Sequence, residues 1–239
     1  MPIFQEISSM LPRRATLFLL AGALAMPAFA APPTKPNWAA TVVTTPEGGI
    51  RIGNPAAKVK IVEFASFTCP HCKDFHEIGV PALKARYIAN GSVSIEMRSF
   101  MRNGPDFSAS LLVACQPGAK GLAMADALFA EQGKWTQGFG AISAADGDAI
   151  ARLPLDQQPL GMAKASGLDK WAVAKGLPLA RAQACLADKN AQNRLVAIYK
   201  DALDTWKLEG TPTFVINGKT VTGVYDWANL EPKVQAALR

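Results

Sequence analysis

Val59-Lys60-Ile61-Val62-Glu63-Phe64, followed closely by Cys69-Pro70-His71-Cys72, is the stretch that decides the fold. The first run is apolar and strand-like, and the residues from Cys72 to about Ile88 read as a helix. A Cys-x-x-Cys pair at a strand-to-helix junction puts its first sulfur at a helix N-terminus. Unpaired backbone N–H groups and the positive end of the helix dipole there favour a thiolate. With a second thiol one turn further on, that thiolate can attack a disulfide and then close on its neighbour. The implied chemistry is thiol–disulfide exchange.

The N-terminus bears on compartment. Arg13-Arg14 precede an apolar run from Ala15 to Met26, and Ala28-Phe29-Ala30 supplies small residues at a cleavage position. This is a signal-peptide pattern, and its apolar run is shorter than the roughly 20 residues a membrane span needs. Residues 1–30 are therefore expected to be cleaved on export to the periplasm, where disulfides persist. Losing Arg13, Arg14 and Glu6 with them takes the net charge from +6 to +5. The basic residues are scattered rather than clustered, which argues against nucleic acid as a partner.

Beyond a Pro-rich tail at Ala31–Pro36, Thr41–Thr44 and Ile50–Ile52 around Pro46-Glu47-Gly48-Gly49 predict a short hairpin. Val93 to Arg98 alternates apolar and polar, as a half-buried strand does, and it should run parallel to the strand at Val59–Phe64. From about Pro105 to Lys207 Ala, Leu and Met dominate. Breaks at Gln116-Pro117-Gly118, Gly138-Phe139-Gly140, Leu153-Pro154, Gly167 and Gly176-Leu177-Pro178 predict about five short helices. Thr213–Ile216, the Asn217-Gly218 turn and Lys219–Gly223 make a second hairpin, and Trp227 to Leu238 a last helix. The fold class is α/β: a thioredoxin fold with an all-helical domain inserted between its βαβ and ββα halves. Residues 31–104 hold the tail, the hairpin and the first half, 105–207 the insertion, and 208–239 the second half.

The active-site tetrapeptide, Glu63 six residues before Cys69, the insertion and Gly210-Thr211-Pro212-Thr213-Phe214, taken in that order, resemble the DsbA family of periplasmic disulfide oxidoreductases. The resemblance implies a monomer that donates disulfides to unfolded exported proteins. It also implies reoxidation by a quinone-linked membrane partner of DsbB type, with no cofactor beyond the redox-active disulfide.

Cys69, N-terminal and exposed, is expected to be the nucleophile, and Cys72, more buried, the resolving thiol. Lowering a thiol pKa from about 8.5 to about 3.5 favours the thiolate by roughly 7 kcal/mol. The dipole supplies at most about 2 kcal/mol, so N–H groups of the first turn and the His71 imidazole are expected to supply the rest. Pro70 suits the first helical turn. Glu63, a carboxylate within an apolar strand, reads as a buried acid that relays a proton near Cys72. Sequence alone predicts a trans Thr211–Pro212 bond, whereas the resemblance implies a cis-Pro loop against the active-site disulfide. Thr211 departs from the apolar residue of many oxidases and occurs in isomerase-type relatives. Assigning Cys69–Cys72 locally leaves Cys115 with Cys185 as a structural disulfide.

Competing readings are an isomerase or reductase of the same fold and a metal carrier using Cys69, Cys72 and His76. The short stretch before the fold argues for a monomer, since isomerases of this fold usually carry a dimerisation domain there. Phe67 and Phe139 read as core residues that could also border a substrate groove.

Overall fold

The expected hairpin forms the edge of a six-stranded sheet: β1 (Val42–Thr44) pairs antiparallel with β2 (Ile50–Gly53), Val42 opposite Ile52. The turn between them closes through Thr45 and Gly49, with Gly48 at φ +86°, a conformation that favours glycine. The structure is a computed structural model and describes residues 36–239; the expected signal segment and all but the last residue of the Pro-rich tail lie outside the described residues.

β3 (Val59–Ala65) and β4 (Val93–Ser99) run parallel, as the intervening helix requires. That helix spans residues 70–88: α1 (Pro70–Asp74) and α2 (Val80–Leu83) are α-helical, while Phe75–Gly79 and Lys84–Ile88 are π-helical. Pro81 has no N–H to donate, and the wider turn before it eases its ring past the preceding carbonyls.

β4 departs from expectation. It is buried on both faces rather than half-buried, with Ser94 and Glu96 2% and 9% exposed. Its polar side chains are paired instead of solvated: Thr45 Oγ1 and Arg98 Nε donate to Glu96 Oε1 at 2.8 and 2.7 Å. A helix of the following block covers this strand, so the alternation marks an internal polar cluster, not a wet face.

The block between β4 and β5 is all helical, but it holds eight α-helices rather than five: α3 (Gly104–Ala114), α4 (Gly118–Ala130), α5 (Gln132–Gly140), α6 (Ala144–Ala151), α7 (Gln158–Ser166), α8 (Leu168–Ala174), α9 (Leu179–Leu186) and α10 (Lys189–Asp204). The Gln116–Gly118, Leu153-Pro154, Gly167 and Gly176–Pro178 breaks fall between helices, whereas Gly138-Phe139-Gly140 lies inside the end of α5. Missed joints are the single residue Glu131 between α4 and α5, and caps made by the side chains of Ser143 and Asp188. α10 packs over β4, and Asp201 on it lies 3.9 Å from Arg98.

β5 (Thr213–Ile216) pairs antiparallel with β3 and with β6 (Lys219–Val221), giving the order β1-β2-β4-β3-β5-β6. Asn217 and Gly218 both have positive φ, 48° and 78°, as the tight hairpin turn demands. α11 (Trp227–Leu238) closes the fold against β3 and the π-helical turn at Phe75–Gly79. β3 is thus a central strand.

Cys115 at the end of α3 and Cys185 in α9 are joined by a disulfide, Cα atoms 5.5 Å apart and 70 residues apart in sequence. Cys115→Ser with Cys185→Ser should lower stability by about 4 kcal/mol, since a loop of that length loses its closure constraint; urea unfolding of the active-site-reduced protein measures it.

Candidate active site

Cys69 and Cys72 are free thiols, so the structure shows the reduced form. Cys69 is the N-cap of α1, extended at φ −91° and ψ 122°, and Pro70 opens the helix behind it. Two segments far from it in sequence hold the turn before it. Asp106, near the start of α3, accepts from the Phe67 N–H at 2.8 Å and the Arg102 N–H at 3.0 Å. Asn103 caps α3 through Asp106 N–H at 2.9 Å and donates to Thr68 Oγ1 at 3.1 Å. Gln132, at the start of α5, donates from Nε2 to the carbonyls of Phe67 and Cys69 at 2.8 and 3.0 Å.

The remaining wall is the Thr211–Pro212 loop, whose peptide is cis, against the frequency-based expectation and in line with the resemblance. The Cys69 thiol donates to the Thr211 carbonyl at 3.2 Å. Cys69 is 3% exposed and Cys72 fully buried. The expected ordering of burial holds, but Cys69 is less open than the sequence suggested, because the cis-Pro loop lies over it.

The two sulfurs are driven apart electrostatically. The Cys72 thiol, hydrogen-bonded to Cys69, holds the Cys69 pKa down at about 5, against the opposing effect of burial; the Thr211 side chain and the N–H groups of Cys72 and His71 add to the lowering. Burial pushes Cys72 well up, reinforced by its bond to Cys69 and by the charge of Glu63. His71 is exposed, and its backbone N–H is among the groups that lower the Cys69 pKa. The Thr211 hydroxyl is buried without a hydrogen-bond partner in this thiol form, which leaves it available to donate to the thiolate.

Glu63 is fully buried on β3, and its charge is felt at Cys72. Its Oε2 lies 3.0 Å from His76 Nε2. His76 stacks on Phe129, ring centroids 4.1 Å apart, so it is turned toward Glu63 and away from any Cys69–Cys72–His76 ligand set. Phe67 is core, 1% exposed and packed on Phe129; Phe139 packs edge-on against Trp135.

Sequence reasoning missed Asp106, Gln132 and the partner of His76. The Asn103-x-x-Asp106 spacing resembles a capping box and was the available signal for the first. A lone Gln132 carries no signal at all.

A sequence model described as thioredoxin matches residues 45–236. The chain belongs to that family. Among solved structures it is similar to a protein-disulfide isomerase from Novosphingobium aromaticivorans, 29% identical at a TM-score of 0.75, covering 80% of this chain and 98% of that one. It shares the fold of Wolbachia pipientis alpha-DsbA1, at 20% identity and a TM-score of 0.61 over 79% of this chain and 89% of that one. These neighbours agree with the DsbA resemblance read from the motifs. A Rickettsia bellii protein provisionally named a protein-disulfide oxidoreductase is 27% identical over 72% of this chain. A Rickettsia felis protein of the same name is 27% identical over 78%. The chain spans 58% and 59% of the lengths of these two relatives.

Thr211→Val removes a donor to the thiolate and should raise the Cys69 pKa from about 5 by roughly 1–2 units; the pH dependence of its alkylation reads this. Gln132→Ala strands the buried Phe67 carbonyl, while the Cys69 carbonyl keeps the Lys73 N–H, and should cost about 1–3 kcal/mol in urea unfolding of the reduced protein.

Proposed function

We propose that the protein is a periplasmic thiol:disulfide oxidoreductase acting mainly as an oxidase of newly exported proteins. In this reading residues 31–104 and 208–239 form the redox domain and 105–207 the inserted helical domain, with residues 1–30 removed on export. The redox-active disulfide is the only cofactor needed.

The observation that carries the reading is the asymmetry of the pair. Cys69 sits at a helix N-terminus against the Thr211 carbonyl with its thiolate stabilised, while Cys72 is walled off and held protonated. A substrate thiolate attacks Cys69 Sγ, the Cys69–Cys72 bond breaks, and Cys72 leaves with the electron pair and takes up a proton. A second substrate thiol then displaces Cys69, which departs as a thiolate. Stabilising that departing thiolate favours disulfide donation. Beside the cis-Pro loop a cleft of about 350 Å3, lined by residues including Leu208, Gly210, Val224 and exposed Tyr225, offers room for an extended unfolded chain. Reoxidation by a quinone-linked membrane partner of DsbB type, and action as a monomer, complete the reading.

Thr211 and the naming of the Novosphingobium neighbour as a protein-disulfide isomerase favour a second reading, an isomerase or reductase. The reduction potential separates the two. Measured against glutathione in a Cys115→Ser/Cys185→Ser background, it should lie at about −120 mV. A value of about −200 mV or below would overturn the oxidase reading in favour of isomerisation or reduction.

A further inference from the structure

The exchange cycle leaves a proton to be placed. Cys72 is fully buried, so the proton it gains when released, and loses when it attacks again, needs a route through protein. Glu63 is its acidic neighbour, yet Glu63 is itself fully buried on the central strand, and its Oε1 has no hydrogen-bond partner.

The next group outward is His76. Its side chain is 5% exposed, with Nε2 3.0 Å from Glu63 Oε2 and Nδ1 3.9 Å from Asp126 Oδ1. Nδ1 has no hydrogen-bond partner, and Asp126, on α4, has a side chain 51% exposed. The imidazole therefore stands between an internal and a surface carboxylate, its plane fixed by the stack on Phe129. A cleft of about 230 Å3, lined by His76, Asp126, Glu77, Lys84 and Phe129, brings solvent to the Asp126 side.

We infer that His76 stores the proton that Glu63 passes to and from Cys72, and that Asp126 connects this store to solvent. This rests on the oxidoreductase reading of Cys69 and Cys72. In the direction that oxidises substrate, His76 Nε2–H gives its proton to Glu63, Glu63 gives one to the released Cys72 thiolate, and His76 is left neutral. When Cys72 attacks the Cys69 mixed disulfide again, its S–H bond breaks and the proton returns by the same groups. Because Nε2 faces Glu63 and Nδ1 faces Asp126, exchange of the stored proton with solvent takes a flip of the ring within its plane. His76 is a positioning residue here, since it touches Glu63 and not the sulfurs.

The charged groups around His76 fit the role. Glu63 faces it from β3 and Asp126 from α4; on its own helical run Glu77 is paired with Lys73 at 3.6 Å, and Lys84 lines the outer cleft. On α11, Glu231 is turned to Arg86. Burial alone would push the imidazole pKa down, but the Glu63 charge and the Asp126 contact raise it to about 9. The sign follows: the stability His76 contributes is fully present below its unfolded value of 6.5 and is lost as pH rises through about 9.

The test is the pH profile of Cys72 attack on a preformed Cys69–glutathione mixed disulfide, followed by glutathione release from the full chain. In the wild type the rate should rise toward about pH 9 as His76 loses its proton. Asp126→Asn, a surface change that leaves the fold intact, should move that rise to lower pH. His76→Gln should abolish the rise and slow the step about tenfold or more at neutral pH, while Cys69 alkylation keeps its rate. In His76→Ala, added imidazole should restore the lost rate through the cleft. An Asp126→Asn profile superimposed on the wild type, or a His76→Gln profile that keeps the rise, overturns the inference. Failure of the wild type to form and resolve the mixed disulfide at all would instead strike at the oxidoreductase reading itself.

Discussion

The contact of Cys69 Sγ with the Thr211 carbonyl, 3.2 Å across 142 residues of sequence, is the constraint on which the rest of this molecule depends. It exists only because β5 pairs with β3, setting Phe64 opposite Thr213 and so delivering the cis-Pro loop to the helix N-terminus that follows β3. Everything between β4 and β5 must leave and return without disturbing that register. The Asn217-Gly218 turn helps to pin it: Lys60 N–H donates to Asn217 Oδ1 at 2.8 Å, and the Asn217 N–H returns a bond to the Lys60 carbonyl at 2.9 Å.

The helical block also bears directly on the chemistry. Asp106 and Gln132 reach from the first turns of α3 and α5 to take up the N–H and the carbonyl of Phe67, which the loop before Cys69 leaves without a backbone partner, and Gln132 adds a second bond to the Cys69 carbonyl. Asp106 does this at a cost, since burial lifts its carboxyl to about 6. The reactive loop is therefore held by side chains from the insertion as well as by its own strand, and the two parts of the fold share one site.

Much of this was legible in the sequence because local rules sufficed. Cys69-Pro70-His71-Cys72 after an apolar strand, the Asn217-Gly218 turn and the last helix at Trp227–Leu238 are all set by neighbours in the chain. What escaped depends on distant partners. The polar alternation of β4 could not disclose the helix that would cover it. Glu131 joins α4 to α5 with no Gly or Pro to mark the break, and Ser143 and Asp188 open helices as side-chain caps. His76, four residues past Cys72, has its partner on β3 and not among the cysteines.

The order of the cysteines has one more consequence. Cys69 stands by Cys72, and Cys115 is bonded to Cys185, so each cysteine is matched with the next one along the chain. A polypeptide oxidised from its N-terminus onward reaches this arrangement without any exchange of partners, because every thiol meets its mate before a rival is present.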